Sequence, residues 1–127
     1  MSGACRVIVG ASGSPGSLQA LRYAQELARA QDAILIPALA WMPPGGDLAD
    51  RRAPCACLRR VWAEDARQRL RDTLRLAWGQ IPAWPPVRPF VQRGEAGLVL
   101  VNAACRPGDL LVVGAGRHGM LGRVIAA

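Results

Sequence analysis

Two short runs, Arg6-Val7-Ile8-Val9-Gly10 and Asp109-Leu110-Leu111-Val112-Val113-Gly114, are apolar at every inner position and each closes on a glycine. Neither alternates between wet and dry residues. A strand that is apolar on both sides must be covered on both sides, the condition met by parallel sheets sheathed in helices. That requirement makes the chain an α/β protein before anything else about it is read.

The intervening segments supply the cover. Ser14 before Pro15 is helix-start chemistry, a hydroxyl to accept a free N–H followed by a residue with no N–H to lose. Ala20, Leu21, Ala24, Leu27 and Ala28 then share one helical face, small enough to lie close on a sheet. A strand from Ala33 to about Trp41 follows, then a loop rich in proline, glycine and acids from Pro43 to Pro54. Leu58, Trp62, Ala66, Leu70, Leu74 and Ala77 form the stripe of a long helix whose wet sides carry Arg60, Arg67, Arg71 and Arg75 beside Glu64 and Asp65. A third strand is expected over Val87 to Gln92, and a helix from Glu95 to Ala104. The order β-α-β-α-β-α-β predicts a Rossmann-like open parallel sheet with helices on both faces, formed as one domain over residues 1–127.

Composition narrows the partners. The net charge of +7 comes from arginine alone, since the chain contains no lysine. The arginines are spread along the chain, and the tryptophans stand beside prolines or within a helix, so no stacking platform for a specific nucleic acid is expected. The longest apolar run, Ala33 to Met42, contains Pro37 and is too short to span a bilayer. Met1 to Arg6 leads straight into a strand rather than a signal peptide, and the expected location is the cytoplasm. Cys5, Cys55, Cys57 and Cys105 offer no Cys-x-x-Cys pair and His118 is remote from them, so no metal site is expected. They read as free thiols, with Cys5 and Cys105 as core fillers.

Ligands of such sheets sit beyond the carboxyl ends of the strands. Two glycine-rich turns fall there, Gly10 to Gly16 and Gly114-Ala115-Gly116-Arg117-His118-Gly119. Glycines allow backbone N–H groups to approach a phosphate, and Arg117 and His118 add donors; glycine also simply makes tight strand-to-helix turns. Gly114-x-Gly116-x-x-Gly119 matches the dinucleotide fingerprint, but the chain ends at Ala127, before the acid expected about twenty positions on. Gly10, Gly13 and Gly16 have the wrong spacing for it, and without lysine no Walker loop exists. No nucleophile, base and carboxylate are placed together by motif, and Asp109 and Glu95 read as a strand-start pairing and a helix N-terminal acid. No enzyme is expected.

Together these segments resemble the universal stress protein family over essentially the whole chain. The carrying residues are Val7 to Ser17 with Ala20-Leu21, then Arg93-Gly94-Glu95, then Asp109 to Gly114. The loop from Trp41 to Pro54 is similar to that of a basic, tryptophan-rich subgroup. The resemblance implies strand order 3-2-1-4-5, a homodimer in many members, and ATP or AMP bound without catalytic machinery. Carried over, the nucleotide site comprises Gly10, Ala11, Ser12, Trp41, Val113, Gly114, Gly116, Arg117, Gly119 and Ala127. ATP-binding members carry an aspartate where this chain has Ser12. Their Gly-x-x-Gly loop, aligned on Gly114, puts Arg117 at the second glycine and Ala127 at the third, with Gly116 standing in one residue early. The family continues into more of a fourth helix and a fifth strand, and this chain is expected to lack both, leaving order 3-2-1-4 with strand four as a bare edge. Two functions follow as expectations: a non-enzymatic stress-response module binding an adenine nucleotide weakly, or a nucleotide-independent protein-interaction module acting as a homo-oligomer or with a partner protein.

Overall fold

The computed structural model describes residues 5–52, 55–114 and 123–126. Strand β1 (Arg6–Gly10) leads into helix α1 (Pro15–Gln31), then β2 (Ile34–Trp41), α2 (Gly46–Arg52), α3 (Ala56–Trp78), β3 (Phe90–Arg93), α4 (Ala96–Ala103), β4 (Leu110–Val113) and β5 (Arg123–Ala126). The sheet order is β3-β2-β1-β4-β5. The first four are parallel, in the expected 3-2-1-4 order, with Val7, Ile8 and Val9 facing Leu110, Leu111 and Val112.

Strand alternation divides the core. Val7, Val9, Leu35, Leu39 and Val112 face α1 and α3, where Ala20, Leu21, Ala24, Leu70 and Leu74 complete the packing. Ile8, Ala38 and Leu111 face α4 with Leu100 and Ala104. Helix α1 starts as the serine predicts, with the Ser17 amide donating to Ser14 Oγ at 3.2 Å. Its small buried face lets it lie against β1, β2 and β4. The end of α3 is tied to α1 by Arg22 Nε, which donates to the Ala77 carbonyl at 3.0 Å, and by Trp78 Nε1, which donates to that of Leu21 at 3.2 Å.

Five expectations are corrected. The edge of β4 is not bare: β5 pairs with it antiparallel, Leu110 opposite Ala126 through Val113 opposite Arg123, so a fifth strand is present. An apolar strand with unmet N–H and C=O groups is covered by the chain that can reach it, and here that is the tail. The Pro43–Pro54 loop contains α2, whose Asp50 is buried and held by Arg59 and Arg93. The long helix packs only from its middle onward. Ala66, Leu70, Leu74 and Ala77 are buried, but Leu58 is 47% exposed. A helix of 23 residues spans about 35 Å, longer than any strand beneath it, and its first turns project beyond the sheet.

Strand β3 is shorter than expected because of Pro37 in the neighbouring β2. Val87 makes only an isolated bridge to Leu35, and the ladder resumes at Ala38 and Phe90, a register that sets Pro37 opposite Pro89. Leu35 bonds toward this strand through Pro86 and Arg88, so by alternation Pro37 faces it too, and its ring has no N–H to give. Finally, Cys105 is exposed and does not fill the core, while the half-buried Cys5 packs against the core's edge; all four thiols are free.

Candidate functional site: a cleft at the carboxyl ends of the strands

The turn after β1 is stitched by its own serines. Ser17 Oγ donates to the Gly10 carbonyl at 3.1 Å and accepts from the Ser12 amide at 2.9 Å. Ser12 Oγ lies 3.2 Å from Ser14 Oγ, and the Ala11 amide donates to the Ala38 carbonyl of β2 at 2.9 Å. Gly13 stands at φ 89°, where a Cβ would be strained and 3.3 Å from Thr73 Oγ1 of α3. The turn is therefore clasped between the sheet and α3, and its hydroxyls present a fixed polar lip.

Gly114, at the end of β4, lies against the first turn. A Cβ there would come within 2.7 Å of the Gly16 carbonyl carbon and oxygen and 3.0 Å of the Ser17 amide. No side chain fits, so the end of β4 touches the first turn of α1 and closes one wall of a cleft of about 260 Å³. Gly10, Ala11, Ser12, Val113 and Gly114, five residues expected at the site, all line this cleft. Its volume lies near the lower end of small-ligand pockets, which run from about 300 Å³ upward.

Trp41 is placed differently. It ends β2 with the Arg93 guanidinium carbon 5.9 Å from its ring centre, and it does not line the cleft. Gly116, Arg117, Gly119 and Ala127 lie outside the described residues. Sequence reasoning missed Leu39, Ala40 and Leu100, which also line the cleft. Leu39 and Ala40 could have been found from their place at the carboxyl end of β2. Leu100 could not, because only the packing of α4 brings its Cδ1 within 3.2 Å of where a Gly10 Cβ would stand.

Among the described lining residues no side chain is an acid, a base or a cation, so polar recognition there falls to serine hydroxyls and backbone groups. The nearest carboxylate in sequence is Glu95, which is committed to capping α4. It accepts from the Gly97 amide at 3.1 Å and the Leu98 amide at 2.9 Å, and these bonds hold its carboxyl below the usual range. Among the described residues no group of three metal-ligating side chains comes together, and no helix is long and apolar enough to cross a membrane.

Solved structures with this architecture exist. The chain is 28% identical to a protein from Mycobacterium tuberculosis H37Rv, with a TM-score of 0.57, covering 90% of this chain and 73% of that one. It is 16% identical to the universal stress protein UspA of Lactobacillus plantarum, with a TM-score of 0.58, covering 93% and 84%. A universal stress protein crystallised with cAMP is 24% identical with a TM-score of 0.45, and this chain spans 65% of its length. No curated protein sequence matches the chain. The sequence profile of the universal stress protein family matches residues 5–127, nearly the whole length. Its parallel 3-2-1-4 strands and the cleft at their carboxyl ends are thus those of a member of the universal stress protein family.

Proposed function

We propose that the chain is a non-catalytic stress-response module that takes an adenine nucleotide, ATP or AMP, weakly in the cleft between the Gly10–Ser17 turn and Gly114. The observation that carries this reading is the contact of Gly114 with the first glycine turn, which sets one polar lip beside the apolar surface of Ala40 and Leu100. A flat base suits the apolar surface, and phosphates suit the serine hydroxyls at the lip, whose Ala11, Ser12 and Ser17 amides already donate within the protein. Weak binding follows from Ser12, a neutral hydroxyl already engaged with Ser14.

Calorimetric titration with ATP and AMP tests it. Ser12→Asp gains a charged acceptor, a gain of about 1.5–3 kcal/mol or roughly ten- to hundredfold in affinity. Binding by neither version excludes the nucleotide reading. It would favour the second reading, a protein-interaction module acting with a second copy or a partner. That reading draws on Leu98 and Val101, 64% and 62% exposed on the outer face of α4.

A further inference from the structure

The amino ends of the strands carry a second cleft, of about 220 Å³, at the other end of the sheet from Gly10 and Gly114. Arg6 and Ile34 open β1 and β2, Arg88 precedes β3, and Arg106 lies in the turn before β4. The cleft exists for two reasons. Helix α4, which covers this face, has eight residues and spans about 12 Å; it leaves Ile34, Ile36 and Phe90 only half-covered. The lapse in the β2–β3 ladder at Pro37 and Pro89 falls beside them.

Charge at this cleft is unbalanced. Arg6, Arg88 and Arg106 line it together, and one buried carboxylate, Asp109, answers them. Asp109 is turned to Arg6, whose Nε donates to Oδ1 at 3.0 Å, and to the backbone amide of Arg106, also at 3.0 Å. Arg6 Nη2 also donates to the Ala103 carbonyl at 3.0 Å, which answers the negative end of α4 and removes a repulsion that an incoming anion would meet. The exposed guanidinium groups of Arg88 and Arg106 have no ion-pair partner among the described residues. Like charges gathered at a pocket with an apolar and aromatic floor are favourable when an anion with an apolar body joins them.

We infer that this amino-end cleft binds a small molecule bearing a phosphate on a flat apolar body. The phosphate lies between Arg88 and Arg106, and the body lies on Phe90 and Ile36. The site is independent of the carboxyl-end cleft and of the nucleotide reading. Guanidinium forks suit a phosphate's oxygens, and the floor separates an aryl phosphate from free phosphate.

The test titrates the full chain at low ionic strength with phenyl phosphate and with inorganic phosphate, followed by backbone amide NMR. Expected are a saturable shift centred on Arg88, Phe90 and Arg106, and weaker binding of inorganic phosphate. Arg88→Gln or Arg106→Gln should weaken phenyl phosphate about tenfold or more, and Arg75→Gln, on the far face, should not. Arg88 and Arg106 are exposed, so melting curves matching the parent's are expected to confirm an intact fold. The proposal is overturned by no saturable binding, or by shifts centred on Gly10 to Ser17. Equal loss in Arg75→Gln would also overturn it, since it marks diffuse attraction to any polyanion, RNA included.

Discussion

At Gly114 the side chain is a hydrogen atom because nothing larger fits against Gly16 and Ser17. Gly114→Ala must push β4 from the start of α1, and overpacking of this kind costs about 1–3 kcal/mol. Urea melts of the two proteins should show that loss, and equal midpoints would mean Gly114 does not pack on Gly16 and Ser17 in solution. Asp109 is the other residue on which much depends. Burial alone would push its carboxyl up, but the hydrogen bonds from Arg6 and the Arg106 amide outweigh burial and hold it below the usual range. A carboxyl lowered by folding adds stability above its unfolded value of about 3.9, and that stability is lost as pH falls through the folded value. Asp109→Asn leaves Arg6 unanswered and should cost about 3–5 kcal/mol at neutral pH. The gap from the parent should narrow below about pH 4. A variant as stable as the parent at pH 7 would show the pair contributes nothing.

Among the elements, α2 owes most to a single side chain. Seven residues are too few to hold a helix alone. Asp50, 5% exposed, accepts from Arg59 Nε at 3.1 Å and from Arg93 Nη2 at 3.0 Å, which ties α2 to α3 and to the end of β3. Those partners, Arg59 first, hold its carboxyl below the usual range against the opposing effect of burial. Asp50→Ala should free α2 while the sheet stays folded. Limited proteolysis should then cut between Pro43 and Cys55 well before the core melts. Resistance there equal to the parent's would assign the anchoring to other contacts. Helix α3 differs in kind. Its outer face carries pairs such as Arg67–Glu64 and Arg69–Asp65, all exposed, which add little each and keep the face wet.

At the scale of the whole molecule, β5 decides how the sheet ends. Its four residues pair with all of β4, and without it the run Leu110 to Val113 offers an apolar edge free of internal charge and proline. A chain cut after residue 122 should self-associate, seen as rising mass in light scattering, while the full chain stays discrete. If the shortened chain remains as monodisperse and as stable as the full one, β5 is not what protects that edge. The opposite edge manages itself: β3 is four residues long and follows Pro89, which has no N–H to extend the ladder.

Much of this architecture was written locally. Unbroken apolar runs at β1 and β4 demand cover on both faces, Ser14-Pro15 starts a helix wherever it stands, and Glu95 caps the helix that follows it. These are short-range facts, since a hydroxyl or carboxylate reaches only the next turn. The first half of the cleft was legible for the same reason, as glycines at strand ends. What remained hidden depends on residues far apart in the chain. Pro37 shortens β3 only because it falls where β2 would donate to the Arg88 carbonyl, and α2 exists because Asp50 meets Arg59 and Arg93. Leu100 enters the cleft because α4 crosses β1, and the tail covers β4 because that edge is within its reach. Local sequence settled four of the strands and three of the helices, while α2 and β5 were left to tertiary contacts. Register, edges and the walls of both clefts were decided by tertiary contacts, because each depends on a distance between residues that the order of the chain does not specify.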